Sequence, residues 1–403
     1  MAEAMKKYLV PGALILCVVI SLVMWILKPI PHAHRYDLSF QLSLVLAVIW
    51  LFWKVSPGRI FRRGVLAAVL LAGLAFGIHS LATIDPQAEI VSSYRTVFEA
   101  IDGGRNPYTS GTVFHRDENG TVVYGNFNYP PSEIYPYYLA FRLSGKWNSA
   151  ILTAVMVLLN ALCCLILLRM FPAIRPGYLM AFFPIFLFGE IKTNPSLTFL
   201  VTALLLWLMK KDRERPQKIT RYLIAVVFGI GLMTKFLIIP LMAAYYWHKF
   251  DRRKFRSLVA IALDTGIALA TAVLVMAPFG VAAVFKNTVL FNLVLKDRAA
   301  LTTFYPNVLS GPLEWLGLGG VYPIAAVIIL GLSILAAPRL GLFPAMLTAA
   351  FTFLLVAATP EPQYLPIILY LTLAARCTDM VEWGTLPSQV LKPPRPAGAG
   401  LAD

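Results

Sequence analysis

The chain has 403 residues, of which 59% are hydrophobic and 14% charged, with a formal net charge of +15. That balance excludes an ordinary soluble domain and reads as a polytopic membrane protein, in which nearly every segment needs lipid as its solvent. The basic excess sits in short loops between apolar runs, where it sets orientation, so the reading includes no nucleic-acid partner.

Lys6 and Lys7 precede an apolar run over 8–27, which is long enough to span and has no small-residue cleavage site after it. It reads as a first transmembrane helix rather than a signal peptide. Further apolar segments follow at 38–53, 65–82, 149–168, 177–188, 197–209, 258–276, 321–336, 342–358 and 365–375. Cys17, Cys163, Cys164 and Cys377 fall in or at the ends of such segments, without disulfide or metal spacing. The expected fold is an all-α polytopic membrane bundle of about 11 to 13 membrane segments. It forms one domain over 1–390, followed by a disordered cytoplasmic tail over 391–403, LKPPRPAGAGLAD in its Pro/Gly-rich part.

The third apolar segment leads into a long stretch, 84–148, which carries seven acidic residues against five basic ones. Such a length marks a functional loop rather than a connector. Its first part, 86–101, places Ile90, Val91, Tyr94, Val97, Phe98 and Ile101 on one helical face, which suits a helix lying in the membrane interface. Gly103 and Gly104 can end that helix. Two β-rich runs around Asn119-Gly120 predict a small hairpin; the same turn accounts for the sequon-like Asn119-Gly-Thr121. The run YPPSEIYPYYLAFRL then reads as an aromatic belt before the next span.

An apolar stretch over 222–247 is interrupted by Lys235 and flanked on both sides by basic runs, KKDRERPQKITR and HKFDRRKFR. Basic loops stay cytoplasmic, so both ends of this stretch belong on one side. A single crossing cannot return to its own side. The stretch is therefore predicted to be a broken, re-entrant helix pair with Lys235 near its tip. With it, the basic loops 54–63, 169–175, 210–221 and 249–256 all lie on the cytoplasmic side, and 84–148 faces the exterior as an exoplasmic loop. A second exterior loop is expected over 279–320 and a short one over 359–364.

On this topology the unusual polar residues gather on one side: Asp85 and Glu89, then Glu190, Lys192 and Asn194, then Lys235, then Glu361 and Gln363. No GxxxxGK[ST] or GxGxxG accompanies them, no cofactor is implied, and His32 with His34 lacks the carboxylate partners of a metal site. A buried ammonium costs roughly 2.5–3.5 kcal/mol on insertion scales, which argues for a functional role or an ion pair with a carboxylate such as Glu190. Carboxylates and a lysine at an outer face suit group transfer, a carboxylate taking a proton from an acceptor hydroxyl while cations stabilise a departing phosphate. A lipid-linked phosphosugar would arrive through the bilayer.

Arg105-Asn-Pro-Tyr108, then Phe127-Asn-Tyr-Pro-Pro131, then Gly189-Glu190, then Lys235 with Pro240, in that order, resemble the family-87 mannosyltransferases. These are integral-membrane GT-C enzymes that use polyprenyl-phosphate-mannose. The resemblance covers roughly 85–247 and, more weakly, the turn near Glu361. It implies that an acidic residue ahead of Gly-Gly-x-x-Pro-Tyr is the base and that the lysine faces the donor phosphate. The family usually has Gly-Gln where this chain has Gly189-Glu190, and one span ahead of the base-bearing loop where this chain has two. Asp85 has the expected chemical identity, while Glu89 has the better spacing from Tyr108. Asp85 before Pro86 is also a good helix cap.

The resemblance thus implies a hexosyltransferase of the cell (inner) membrane of a bacterium. It would move mannose from a polyprenyl-phosphate sugar donor to a lipid or glycan acceptor, among membrane lipids. Asp85 and Glu89 would be catalytic, and Lys235, Lys192 and Arg105 would hold the donor phosphate. Tyr108, Tyr129, Glu190, Asn194, Glu361 and Gln363 would meet the substrates. The rival reading is a transporter or flippase of a lipid-linked or anionic solute, which also uses a broken helix with a buried lysine. Asp264, inside an apolar segment, reads as a structural partner for a nearby basic residue.

Overall fold

The computed structural model describes residues 89–116, 122–145, 147, 149–170, 196–251, 254–295, 309–336 and 341–356, with 364, 367, 368, 370, 371 and 374. They are mostly helical, with one small sheet. The segments expected before 89, over 171–195 and beyond 374 lie outside them.

Helix α1 (Glu89–Asp102) buries Val91, Tyr94, Val97 and Phe98, the apolar face expected from their spacing. Gly104, at φ 68°, lets the chain leave the helix, and the Arg105 N–H donates to the Ala100 carbonyl at 2.8 Å. That face is covered by protein rather than lipid. Tyr94 packs on Phe98, Phe127 and Tyr137 with ring centroids 5.3–6.0 Å apart, and Phe98 packs on Tyr138, Phe141 and Trp147. An amphipathic pattern reports only an apolar neighbour, and here the neighbour is an aromatic cluster. Strands β1 (Val113–Arg116) and β2 (Val122–Gly125) form the expected antiparallel hairpin, with Val113 opposite Gly125 and Arg116 opposite Val122. The hairpin is tied to α1 where the Phe114 N–H donates to Thr96 Oγ1 at 2.9 Å.

A 3-10 turn at Pro131–Glu133 leads into α2 (Ile134–Ser144) and α3 (Ser149–Met170). Helix α4 (Ser196–Glu214) runs past its apolar part into the basic stretch, with Lys211 and Arg213 in a last turn that favours cations. Then come α5 (Lys218–Leu232), α6 (Ile238–Lys249) and α7 (Phe255–Met276). The stretch expected as an exterior loop after α7 is partly helical. It holds α8 (Val281–Val284), a π-helix over Phe285–Leu295 and α9 (Ser310–Trp315). Helices α10 (Tyr322–Ala336) and α11 (Leu342–Val356) follow.

Neighbouring packing runs α3 on α4, α4 on α5 and α5 on α7, with α6 against α11 and α10. The α5–α7 crossing uses small residues, Ala225 and Gly229 against Ala268 and Ala272, all buried. A Cβ on Gly229 would lie 2.6 Å from Thr271 Cβ and closer still to the Ala268 carbonyl oxygen, so the glycine sets the helix spacing.

Among the described residues two helices are long and apolar enough to cross a membrane, Phe255–Phe279 and Gly319–Ala336. Both are mostly unburied, unlike the core helix of a soluble protein. Leu258, Leu263, Leu269 and Leu274 on one, and Ile324, Val327, Ile328 and Leu332 on the other, are exposed. Apolar surface of that extent marks a membrane or protein contact.

The stretch carrying Lys235 does fold back. Phe228 on α5 meets Tyr245 on α6 with ring centroids 5.6 Å apart. A straight rod would separate residues seventeen apart by about 25 Å. Lys249 at the end of α6 pairs with Asp212, just before α5 begins. The same end of the bundle receives Lys210, which donates to the Met170 carbonyl, and Trp247, which donates to Leu335 O at 3.3 Å. The described parts of the basic loops therefore collect at one end, and the tip bearing Lys235 points to the other.

Candidate functional site

Helix α5 ends by tightening. Met233 and Thr234 donate from their N–H groups to Ile230 and Gly231 at 3.0 and 2.9 Å, and Thr234 Oγ1 donates to the same Gly231 carbonyl at 2.7 Å. Helix α6 starts three residues after Lys235, and Pro240 in its first turn lacks only an N–H that would have no helical acceptor. Lys235 is left in the short link between the two helices, buried.

Its ammonium lies 3.8 Å from Glu133 Oε2 and 4.7 Å from the centre of the Tyr129 ring. Glu133, whose side chain is only 1% exposed, comes from the 3-10 turn of the long loop. The turn is fixed to the lysine's link through the intervening residue. Ser132 N–H donates to the Met233 carbonyl and Ser132 Oγ donates to the Ile230 carbonyl, both at 3.0 Å. Tyr94 on α1 adds a long hydrogen bond, 3.4 Å, from its phenol to Glu133 Oε2. An ammonium, a carboxylate and two tyrosines, Tyr94 and Tyr129, thus meet at the end of the bundle remote from the basic loops.

Two of the motifs named in the sequence, Arg105–Tyr108 and Phe127–Pro131, meet here as well, while Gly189-Glu190 lies outside the described residues. The Phe127 N–H donates to the Pro107 carbonyl at 2.8 Å, and the Tyr108 phenol donates to the Tyr129 carbonyl at 2.8 Å. Tyr108 is fully buried against Phe127 and Phe279. Burial pushes its phenol well above the usual range, with smaller contributions from Tyr135 and Glu133, so it stays a neutral donor. It forms a wall that supports Tyr129, not a surface open to a sugar. Asn106 Oδ1 accepts from the Tyr108 N–H at 2.9 Å, and its amide group donates to Phe279 O.

The π-helix closes the other side. Asn287 donates to the Tyr108 carbonyl at 2.7 Å, and Thr288 Oγ1 reaches the Tyr129 carbonyl at 3.5 Å. A wide π turn presents successive side chains at spacings that an α-helix does not, and such turns recur at functional sites.

Of the residues expected at the site, Lys235, Tyr108 and Tyr129 are brought together. Arg105 is exposed and its described contact is the backbone cap of α1. Glu89 begins α1, the helix that delivers Tyr94 to Glu133. Asp85, Glu190, Lys192, Asn194, Glu361 and Gln363 lie outside the described residues, as do His32 and His34. Among the described residues no group of three or more His, Cys, Asp or Glu stands close enough to hold a metal ion.

Sequence reasoning missed Glu133, Ser132, Asn287 and Thr288. Glu133 carried a signal, because it is a carboxylate ahead of the aromatic and apolar run IYPYYLAF. Asn287 and Thr288 follow Lys286 in a run that reads as part of an exterior loop, where polar residues carry no mark. Asp264 takes the structural role expected of it: Arg221 Nε donates to its Oδ1 at 2.8 Å.

No family model, no curated protein and no solved structure matches the chain.

Proposed function

We propose that the protein is a polytopic membrane glycosyltransferase that moves a hexose from a polyprenyl-phosphate donor to an acceptor hydroxyl on the exoplasmic side. The observation that carries this reading is the Lys235 ammonium, enclosed at the tip of a folded-back helix pair against the long loop. A buried cation at a helix break is an anion site more often than a scaffold. Its position remote from the basic loops agrees with an exoplasmic site under the positive-inside rule. The meeting of the Arg105–Tyr108 and Phe127–Pro131 stretches beside it supports the resemblance to family-87 mannosyltransferases and, with it, mannose as the hexose.

In the proposed reaction Asp85 or Glu89 takes the proton of the acceptor hydroxyl. The acceptor oxygen forms a bond to the anomeric carbon while the bond from that carbon to the phosphate oxygen breaks. The electron pair leaves on polyprenyl phosphate, whose added charge Lys235 stabilises, and the sugar inverts. Tyr108 and Asn287 brace the backbone that holds the Tyr129 ring beside the ammonium.

The test is purified full-length protein in detergent with labelled polyprenyl-phosphate-mannose and a crude lipid or glycan acceptor. Labelled product without any compartment supports an enzyme. Absence of product, with accumulation of the intact donor inside reconstituted vesicles, would replace the reading by a transporter.

A further inference from the structure

The donor's phosphate has a competitor already inside the site. Among the described residues Lys235 is paired with Glu133, their side chains 11% and 1% exposed, so an arriving anion finds the ammonium already matched by a carboxylate. The separation of 3.8 Å is at the loose end for an ion pair, and the ammonium also rests over the Tyr129 ring at 4.7 Å. The two partners differ in freedom. Glu133 sits on a turn begun by Pro131 and fastened by both hydrogen bonds of Ser132. Lys235 hangs on a four-carbon stem from a link between helices.

We infer that Glu133 is the internal counter-ion of Lys235, a positioning residue that yields the lysine to a lipid phosphate and reclaims it when that phosphate departs. The inference rests on the proposed glycosyl transfer. A sugar phosphodiester brings one negative charge, whereas the phosphate left after transfer carries about −1.5 to −2 at neutral pH. The leaving group therefore holds Lys235 more firmly than the donor does. Without a fixed carboxylate to compete, it would stay. Glu133 thereby trades donor affinity for release of the spent lipid, and the Tyr129 face offers the ammonium an intermediate resting place as it swings.

The experiment measures equilibrium binding of polyprenyl phosphate to the purified full-length protein in detergent, with neutral polyprenol as the control. Glu133→Gln removes the competing charge and is expected to tighten polyprenyl phosphate by at least about fivefold, the lower end of ordinary coupling between charged sites. Glu133→Asp keeps the charge but draws it back, and should tighten binding in the same direction by less. Polyprenol affinity should not move in either variant. In turnover, Glu133→Gln should lower both KM and kcat, because release slows. Equal or weaker phosphate binding by Glu133→Gln overturns the inference, and if that variant does not fold, the same result from Glu133→Asp overturns it. The transfer reading fails separately. If wild type binds polyprenyl phosphate no better than polyprenol, and Lys235→Met changes neither, the site holds no lipid phosphate. If Lys235→Met weakens binding but neither Glu133 variant tightens it, only the counter-ion role is lost.

Discussion

The folded-back helix pair carries ion pairs at both of its ends, and they are built differently. At the basic end, Arg221 donates to Asp264 at 2.8 Å and with a second nitrogen to the Ala260 carbonyl at 3.1 Å, while Lys249 closes on Asp212. These contacts satisfy their groups and join α5 to α7 and α6 to α4. At the tip, Lys235 and Glu133 stand 3.8 Å apart, both more buried than Arg221 or Lys249. The more deeply buried pair has the poorer geometry. Burial without tight pairing is expensive, and a buried pair adds little or nothing to stability over an apolar replacement. The basic end is thus a clasp, and the pair at the tip is the longer and more deeply buried one.

The sharpest way to break that comparison is to neutralise each pair completely. Glu133→Gln with Lys235→Met should lower transfer by about 10²–10³-fold, the usual loss when a donor to developing charge is removed. Its unfolding temperature in detergent should hold or rise, since no lone charge is left behind. Arg221→Met with Asp264→Asn should leave transfer within about twofold, because neither group lies near the tip. A large loss of activity from the Arg221 pair, or none from the Lys235 pair, would reverse the roles assigned to the two ends. Asp85→Asn with Glu89→Gln should cost a comparable 10²–10⁴-fold in transfer if a carboxylate is the base, roughly the worth of general base catalysis. Full activity in that folded, membrane-inserted variant removes the proposed mechanism.

Much of this contrast was legible in the chain. Basic flanks on both sides of an apolar stretch imply the fold-back, because orientation is set by charge in short loops. The two β-rich runs flanking Asn119-Gly120 announced the antiparallel pair β1–β2, the turn itself lying outside the described residues, and Asp264 inside an apolar helix called for a cation nearby. Glu133 was not read, because within YPPSEIYPYY it looks like one more polar residue of an interfacial belt. The two hydrogen bonds of Ser132, made across about a hundred residues of sequence, help bring it to Lys235. The face of α1 was legible as apolar but not as protein-covered, since lipid and an aromatic cluster satisfy the same periodicity. The π-helix over Phe285–Leu295 left no trace either, because FKNTVLFNLVL suits an α-helical turn as well as a π one.

Between the two ends lies the α5–α7 crossing, and it should respond in stability more than in chemistry. Gly229→Ala would press a methyl group onto the Ala268 carbonyl and Thr271 Cβ, and backbone cannot yield as a side chain can. The expected loss is about 1–3 kcal/mol, read as a lowered unfolding temperature, with transfer falling only as far as the folded fraction does. An unchanged unfolding temperature would mean that the helices can separate freely, and that the spacing does not anchor the link bearing Lys235.

The smallest effect tests the wall behind the tip. Tyr108→Phe removes the hydrogen bond to the Tyr129 carbonyl, a loss of about 1 kcal/mol. The phenol also carries a pH signature. Unfolded, it titrates near 10; in the fold, burial first and then Tyr135 and Glu133 raise it well above that value. The folded state therefore keeps a proton that the unfolded chain releases. Its contribution is complete below about pH 10 and is lost as the pH climbs towards the raised value. Wild type should lose stability between about pH 9 and 11 more steeply than Tyr108→Phe. Parallel slopes for the two proteins would mean that the phenol is not sealed in the fold, and that the Tyr129 ring stands over Lys235 without that support.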